Sequence, residues 1–570
     1  MKSVLFFAAA SLLALVELVG GAVPAEIPSR LKIGIVQMAL APSISENRDR
    51  IIIGISNAAK QGVRVVVFPE GALRGTDGNK QERVEEAVSS IKRAARESRV
   101  YVALGACTYV PGLKKEANWM VVLGPDGNEN FRYEKLYDNH RATMPGLFYI
   151  DGIPCSAIIC ADRWLRGVTE IPIQQGAQIS FELSCNFASE WVAPLGWYWY
   201  VPRALRNNVW VVFANTGNKS DNPTSPRELR HGHSAIIAPD GRIASACRDN
   251  SETIVIADID VSQATRAEAV ARAVHPVLRS FWEAGLNLQK RQTVAVPAFT
   301  PTVSKPTTVT MAAAQIINDL TQMESLIGQA RASNADLVVF PERAISEAAL
   351  PQFQLAARAK RITIVCGMEH RVGKSRYNSA FVIGPDGDVL TRYDQLSATA
   401  PFNAGTDPAT MWFRVKGVPA VVTIGRDALW TELAELAAVA GAQVHVHLDN
   451  ESATTPEADL RRLQIWANLA SYLTFSATVN VVGSTIWDDL RGLDESHAEV
   501  NGLPHPDTGA VEVYSAFSAN VVLRATKGTQ LIAATRSIPK LNPHHPRRTS
   551  NFNPQMEPWY PIGANMIHPK

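Results

Sequence analysis

The sequence predicts an α/β protein that carries one mixed-sheet unit twice. Three observations predict it: short Val/Ile-rich runs alternate with longer stretches of helical period, five segments of the first half return in order in the second, and chemistry-bearing residues fall where strands end. The chain has 570 residues, 46% of them apolar and 19% charged, which suits several packed cores and excludes a disordered protein. Its formal net charge of +2 excludes a strongly basic nucleic-acid footprint. Six cysteines (Cys107, Cys155, Cys160, Cys185, Cys247 and Cys366) form no CxxC and no paired Cys/His spacing. Neither a zinc module nor a disulfide-dense scaffold is indicated.

The repeat is read segment by segment. VVVFPEG at 65–71 returns as LVVFPER at 337–343, LGPDG at 123–127 as IGPDG at 383–387, and RYEKLYD at 132–138 as RYDQLSA at 392–398. ICADRW at 159–164 returns as IGRDALW at 424–430, and QGAQISFEL at 175–183 as AGAQVHVHL at 440–448. Five collinear matches at nearly constant spacing indicate a tandem duplication. Within the first unit, LKIGIVQ reads as a strand and Ser43 to Gln61 as a helix with Ile51, Ile55 and Ala58 inward. VRVVVF follows as a strand, then a helix with Val84, Ala87, Val88, Ile91 and Ala95 inward, then the strand VYVALGA. Asp-Gly at 126–127 and at 240–241 marks hairpins. Strands this continuously apolar are buried on both faces, so helices must cover the sheets, and two mixed sheets per half fit the strand count.

The ends read differently. From Val4 to Val19 the chain is almost wholly apolar, broken by Glu17 and followed by Gly20, Gly21, Ala22 and Ala25, the pattern of a secretory signal peptide over residues 1–25. Such a leader predicts an exported protein, periplasmic or secreted, with an uncleaved membrane anchor as the alternative; no later stretch suits a membrane span. The units are set at 27–285 and 306–535, with a proline-bearing linker at 286–305. The tail, 536–570, holds seven prolines from Ser537 onward and is expected to be neither regular helix nor strand, either draped over the body or disordered.

Glu70 closes VVVFPE, Lys135 closes RYEK and Cys160 closes CSAIIC. Carboxyl ends of strands are where α/β proteins collect catalytic groups. A carboxylate can take the thiol proton, the thiolate can attack an electrophilic carbon, and the ammonium can offset the charge that develops. The bland reading is an ion pair beside a buried core thiol.

With FPEG, YEKLY and ICADRW in order, the first half resembles the nitrilase, or carbon–nitrogen hydrolase, superfamily. Arg203-Ala204 with Asn207, and HGHSAIIAPDG with Gly232, Ser234 and Pro239, look like its later landmarks. The resemblance implies two tandem αββα four-layer sandwich domains. It makes Glu70 the general base, Cys160 the nucleophile forming a thioester or thioimidate, and Lys135 the oxyanion stabiliser with the backbone N–H of Ala161. No metal or organic cofactor is implied. Asn186, Phe187, Trp191 and Trp164 are the candidates for the substrate pocket, although core or interface packing also accounts for the aromatic stretch 185–202. Members often keep a further glutamate between the lysine and the cysteine. Leu136 to Ile159 has none, and Asp138, His140 or Asp151 could stand in for it.

At the three matching positions the second unit has Glu342, Gln395 and Gly425, which removes both the cation and the nucleophile, so a degenerate, non-catalytic copy is expected. Such a copy could pair with the first unit as an internal pseudo-dimer, and a homo-oligomer is left open. The pairs His231/His233 and His445/His447 lack an evident third metal ligand and are expected to be surface or satisfied residues. The expected activity is hydrolysis of a non-peptide C–N bond in a small molecule, an amide before a carbamoyl or nitrile group. The alternatives are a non-catalytic binding or assembly protein and an N-acyltransferase using the same thioester.

Overall fold

The computed structural model describes residues 27–75, 81–108, 116–137, 139, 142–191, 195–218, 229–316, 322–450, 455–469, 474–488, 503–504, 511–512, 520–525, 528–538 and 557–569. The expected leader, residues 1–25, lies outside them, as do Asp138 and His140. Among the described residues no helix is long and apolar enough to cross a membrane.

Each half contributes two six-stranded mixed sheets. In the first half one sheet runs, in spatial order, through Thr253–Asp260, Arg30–Gln37, Val65–Val67, Tyr101–Thr108, Ala117–Leu123 and Glu129–Glu134. Its three central strands are parallel and its flanks antiparallel. The other sheet runs through Ile243–Ala246, Ala235–Ile237, Trp210–Asn215, Ile179–Ser184, Ile153–Ile159 and Phe148–Ile150. The second half repeats both sheets strand for strand, from Gln530–Ile538 beside Thr307–Gln315 to Trp412–Val415 beside Val418–Ile424.

The layering follows from which faces are apolar. Ile33, Ile35, Val65 and Val67 of one sheet meet Ile179, Phe181, Leu183 and Val212 of the other in a buried central layer. The outer face of the first sheet packs on the helices Ile44–Lys60 and Gln81–Ser98 through Val66, Phe68, Ile51, Ile55 and Ile91. Ser43 starts the first of these helices by accepting from the N–H of Glu46 at 3.1 Å, leaving its apolar stripe free to face the sheet. The second sheet is covered by the helix Tyr200–Asn207, giving four layers in the order αββα.

The two halves are packed together. Ile171, Phe281 and Trp282 of the first half share one core with Leu433, Leu436, Trp559 and Tyr560. Buried charges cross the same seam: Arg272 Nε meets Glu432 at 2.7 Å, Arg166 pairs with Glu435, and Arg206 donates to Asn468 at 2.9 Å. Gln464 donates to the carbonyls of Leu195 and Gly196 at 2.9 and 2.6 Å.

Two expectations about the ends need correction. The tail contains a helix, Tyr560–Ile567, and the strand Gln530–Ile538 runs past the boundary set at residue 535. Pro561 sits in the first helical turn, where no intrahelical N–H is needed, so it permits the helix. Trp559 and Tyr560 are buried in the shared core and hold the segment in place. The helix Arg279–Gln289 likewise crosses the boundary at residue 285.

Candidate active site

Three strand ends of the first half converge. Lys135 Nζ donates to Glu70 Oε1 at 2.7 Å, and Asn118 Nδ2 donates to the same oxygen at 2.7 Å. Cys160 follows the strand Ile153–Ile159 and opens the 3-10 turn Cys160–Trp164, its backbone held at φ +47°. A non-glycine residue in that region is strained and persists only where its surroundings fix it. Gly105 lets the Glu70 turn form, because a Cβ there would stand 2.5–2.6 Å from the backbone of Pro69, Glu70 and Gly71.

Asp162 ties the lysine turn to the cysteine turn. Its buried carboxylate accepts from the Tyr133 hydroxyl and from the N–H groups of Leu136 and Tyr137, at 3.1 and 2.6 Å. Arg163 stiffens the same turn from the other side. It donates to the Cys160 carbonyl at 2.9 Å, to Ser184 Oγ at 2.9 Å and to Asn186 Oδ1 at 2.9 Å.

The charges settle into a defined resting state. Burial pushes the Glu70 carboxyl up, but the Lys135 charge and hydrogen bonds from Lys135, Asn118 and Cys160 hold it below its ordinary value. Burial opposes the Lys135 ammonium, and Glu70 more than compensates, so its pKa is raised. The Cys160 thiol is pushed up to about 12, by burial first and by Glu70 second, against the pull of Lys135 and Arg163. Carboxylate, ammonium and neutral thiol therefore sit side by side. The ammonium does not by itself make a thiolate, because Glu70 already neutralises it.

Of the pocket candidates, Asn186 reaches the Cys160 thiol, which donates to its Oδ1 at 3.5 Å, and its Nδ2 donates to the Tyr200 hydroxyl at 3.0 Å. Only 2% exposed, Asn186 anchors the thiol more than it lines an open wall. The three aromatic candidates have other partners. Trp191 stacks on His233 at 3.6 Å, Trp164 packs edge-on to Trp199 at 5.0 Å, and Phe187 lies exposed beneath Arg230. Asp151 is not a stand-in for the missing glutamate. It pairs with Arg64 at 2.6 Å, and Arg64 precedes the strand Val65–Val67 whose far end leads to Glu70.

Sequence reasoning missed Asn118, Tyr200 and Glu190. Glu190 is a second carboxyl whose charge acts on both Cys160 and Glu70; burial raises its pKa. Asn118 could have been found, since Asn378 holds its place in the second copy: each stands two residues before the strand partner of a glycine, Met120 opposite Gly105 and Ala380 opposite Gly367.

In the second half Glu342, Gln395 and Gly425 also come together. Asn378 Nδ2 donates to Glu342 Oε1 at 2.8 Å and to Gln395 Oε1 at 3.1 Å, and Gln395 Nε2 donates to the Ile424 carbonyl at 2.9 Å. Of the histidine pairs, His231, His445 and His447 are buried and His233 is half-buried, and each has a hydrogen-bond partner. His231 contacts Asn215 at 3.2 Å, while His445 and His447 flank Thr423 Oγ1 at 2.8 and 2.7 Å. Among the described residues no group of three or more His, Cys, Asp or Glu could hold a metal ion.

With this geometry in place, comparison with known proteins decides the family. The family model described as carbon-nitrogen hydrolase matches residues 32–269 and again 308–460, most of the chain in two blocks. The chain belongs to the carbon-nitrogen hydrolase family. It is similar to the omega-amidase NIT2 of Xenopus tropicalis, 24% identical over 257 residues, spanning 41% of this chain and 90% of that protein. It is likewise similar to the omega-amidase NIT2 of Bos taurus, 26% identical over 259 residues, 41% of this chain and 89% of that protein. Among solved structures, a carbon-nitrogen hydrolase from Helicobacter pylori G27 aligns with TM-score 0.37 and 18% identity over 44% of this chain and 94% of that one. The protein is a carbon-nitrogen hydrolase with two tandem nitrilase-like units.

Proposed function

We propose that the first half hydrolyses a small-molecule amide through a thioester on Cys160, and that the second half is non-catalytic. One observation carries the reading: an ionised Glu70–Lys135 pair at 2.7 Å stands beside a thiol fixed on a strained turn. The thiol is neutral at rest, so attack and proton transfer go together. The sulfur bonds to the amide carbon while Glu70 takes the thiol proton, and the carbonyl electrons move onto oxygen. Lys135 and the N–H of Ala161, in the first turn after the strand, stabilise that oxyanion; the first N–H groups of such a turn lack intrahelical acceptors. Glu70 then gives its proton to the leaving nitrogen as the C–N bond breaks, releasing an amine or ammonia. A water, deprotonated by Glu70, cleaves the thioester to a carboxylic acid and restores the thiol.

An amide is favoured over a nitrile because the similar curated proteins are omega-amidases. Glu190, close enough to act on Cys160 electrostatically, is the candidate acid for orienting substrate in place of the family's second glutamate. The apolar leader supports action outside the cytoplasm. The second half has no group at position 425 able to bond covalently to substrate.

The test is hydrolysis of a panel of small amides, ureas and nitriles by the full chain and by Cys160→Ala, with mass spectrometry of the intact protein during turnover. Acyl adducts on the parent and a fall of at least about 10³-fold in the variant are expected. Undiminished hydrolysis by Cys160→Ala would eliminate the mechanism.

A further inference from the structure

A small cavity lies at the seam between the halves, and arginines line it. Its volume is about 20 Å³, room for one occupant the size of a water molecule or a halide ion. Arg163 and Arg166 reach it from the turns that follow Cys160. Arg203 and Arg206, three residues apart, reach it from one face of the helix Tyr200–Asn207. Asn468, near the end of the helix Pro456–Leu469, bounds it from the second half, and Thr169 completes the polar lining. Among the described residues no Asp or Glu lines it.

The charge around the cavity does not balance. Arg163 and Arg203, both buried, share one carboxylate, Glu182, at 3.0 and 2.5 Å. Arg206, Arg272 and Arg166 are matched one for one in a chain with Glu170, Glu432 and Glu435. Five guanidiniums therefore meet four carboxylates in this cluster, and the surplus positive charge sits on the side of Arg163 and Arg203. Glu190 acts on Arg163 but forms no ion pair with it among the described residues. A buried charge without a counter-ion is costly, and an anion in the cavity supplies one.

The lining also distinguishes an anion from water. Guanidinium groups only donate. The side-chain oxygens present are Thr169 Oγ1 and Asn468 Oδ1. Asn468 Oδ1 already accepts from Arg206 at 2.9 Å, and the Thr169 hydroxyl gives its proton to the Leu165 carbonyl at 3.1 Å. A water molecule must place two protons as well as accept, whereas a halide only accepts. The volume leaves no room for sulfate or an organic acid.

We infer that a single chloride-sized monovalent anion binds between the two halves, held by Arg163, Arg166, Arg203 and Arg206 with the Asn468 carboxamide at its edge. Arg163 also donates to the Cys160 carbonyl at 2.9 Å, so the ion ties the second half to the turn that carries the thiol. Asn468 is half-buried, which leaves the ion a way in from solvent. No bond is made or broken, and the binding does not rest on the hydrolysis proposed for the first half.

The experiment is equilibrium dialysis of the full chain against radiolabelled chloride, with gluconate as the balancing anion. The parent is expected to bind one equivalent. Asn468→Asp, which sets a carboxylate beside Arg206 in nearly the same volume, is expected to weaken that equivalent at least tenfold, because the protein then carries its own counter-ion. Bromide should displace the label at least tenfold more effectively than sulfate. No bound equivalent in the parent would overturn the inference, and so would equal affinity in the folded Asn468→Asp variant, which is the behaviour of a surface ion. Should Asn468→Asp fail to fold, the competition series on the parent decides alone: sulfate displacing chloride as readily as bromide would place the ion on an open cationic surface and not in this cavity.

Discussion

Cys160 and Gly425 occupy the same turn in two copies of one fold, with φ +47° and +54°, and only one of them carries a side chain. Around both, an aspartate ties the turns together: Asp162 accepts from Tyr133 and Tyr137, and Asp427 from Tyr393 at 2.7 Å and from the N–H of Ser397 at 3.0 Å. Around both, a glycine passes beneath the glutamate turn, Gly105 under Glu70 and Gly367 under Glu342. What survives in both copies is framework; what differs is chemistry. The left-handed turn belongs to the framework, since it persists at position 425, where there is no side chain.

The largest test is to give the first site the residue of the second. Lys135→Gln is expected to lower kcat/KM for amide hydrolysis by about 10² to 10³, the usual cost of removing an oxyanion donor. It should also move the acid side of the pH profile. In the parent Glu70 must be ionised and its pKa is lowered, so activity holds to below the ordinary carboxylate value and falls only at lower pH. Without Lys135, burial becomes the dominant influence on Glu70, and residual activity is expected to fall away at a higher pH than in the parent. An acid limb that stays put would show that Lys135 does not set the base.

The second test makes one substitution in each copy and expects opposite signs. Glu70 is ionised against a buried ammonium, so its stabilisation is present above the unfolded carboxyl value and lost as pH falls through its lowered folded value. Glu70→Gln at pH 7 leaves Lys135 unpaired and should cost about 3 kcal/mol. Glu342 is raised to about 7 by burial and by Asp449. Its penalty is absent at low pH, grows as pH rises from the unfolded carboxyl value, and is complete above pH 7. Glu342→Gln should therefore stabilise the protein by up to about 3 kcal/mol at pH 8 and by almost nothing at pH 4. Thermal melts of both variants across this range check it, and shifts of the same sign would remove the contrast between the sites.

The difference between the copies also explains what could be read without coordinates. The duplication, the two sheets per half and the strand-end positions of Glu70, Lys135 and Cys160 follow from apolar period and collinear repeats, which are local signals. The position of Asp162 is legible because it recurs in the copy as Asp427, whereas Asn118, which recurs as Asn378, lies outside the five matched segments and was missed. Glu190 and Tyr200 lie in the aromatic stretch read as a possible pocket wall, but nothing local marked one as a charge acting on the thiol or the other as the partner of Asn186. The thiol's neutrality was equally hidden, because it depends on burial. The helix Tyr560–Ile567 was missed for a related reason: prolines dominate its surroundings, while its stability comes from Trp559 and Tyr560 entering a core built by both halves.

The smallest expected effect bears on why position 425 is glycine. If it were merely a lost cysteine, a methyl group would fit there as it does at position 160, where Cys160 tolerates the turn. The second site has closed instead, with Gln395 Nε2 2.6 Å from where a Cβ would stand. Gly425→Ala should therefore cost about 1–2 kcal/mol, from left-handed strain plus displacement of Gln395. Cys160→Gly, releasing strain at the same turn, should cost less than the loss of a buried side chain alone would suggest. Melts of the two single variants measure the difference directly. A neutral Gly425→Ala would mean that the second floor is loose enough to readmit a side chain, and that the loss of the nucleophile did not reshape it.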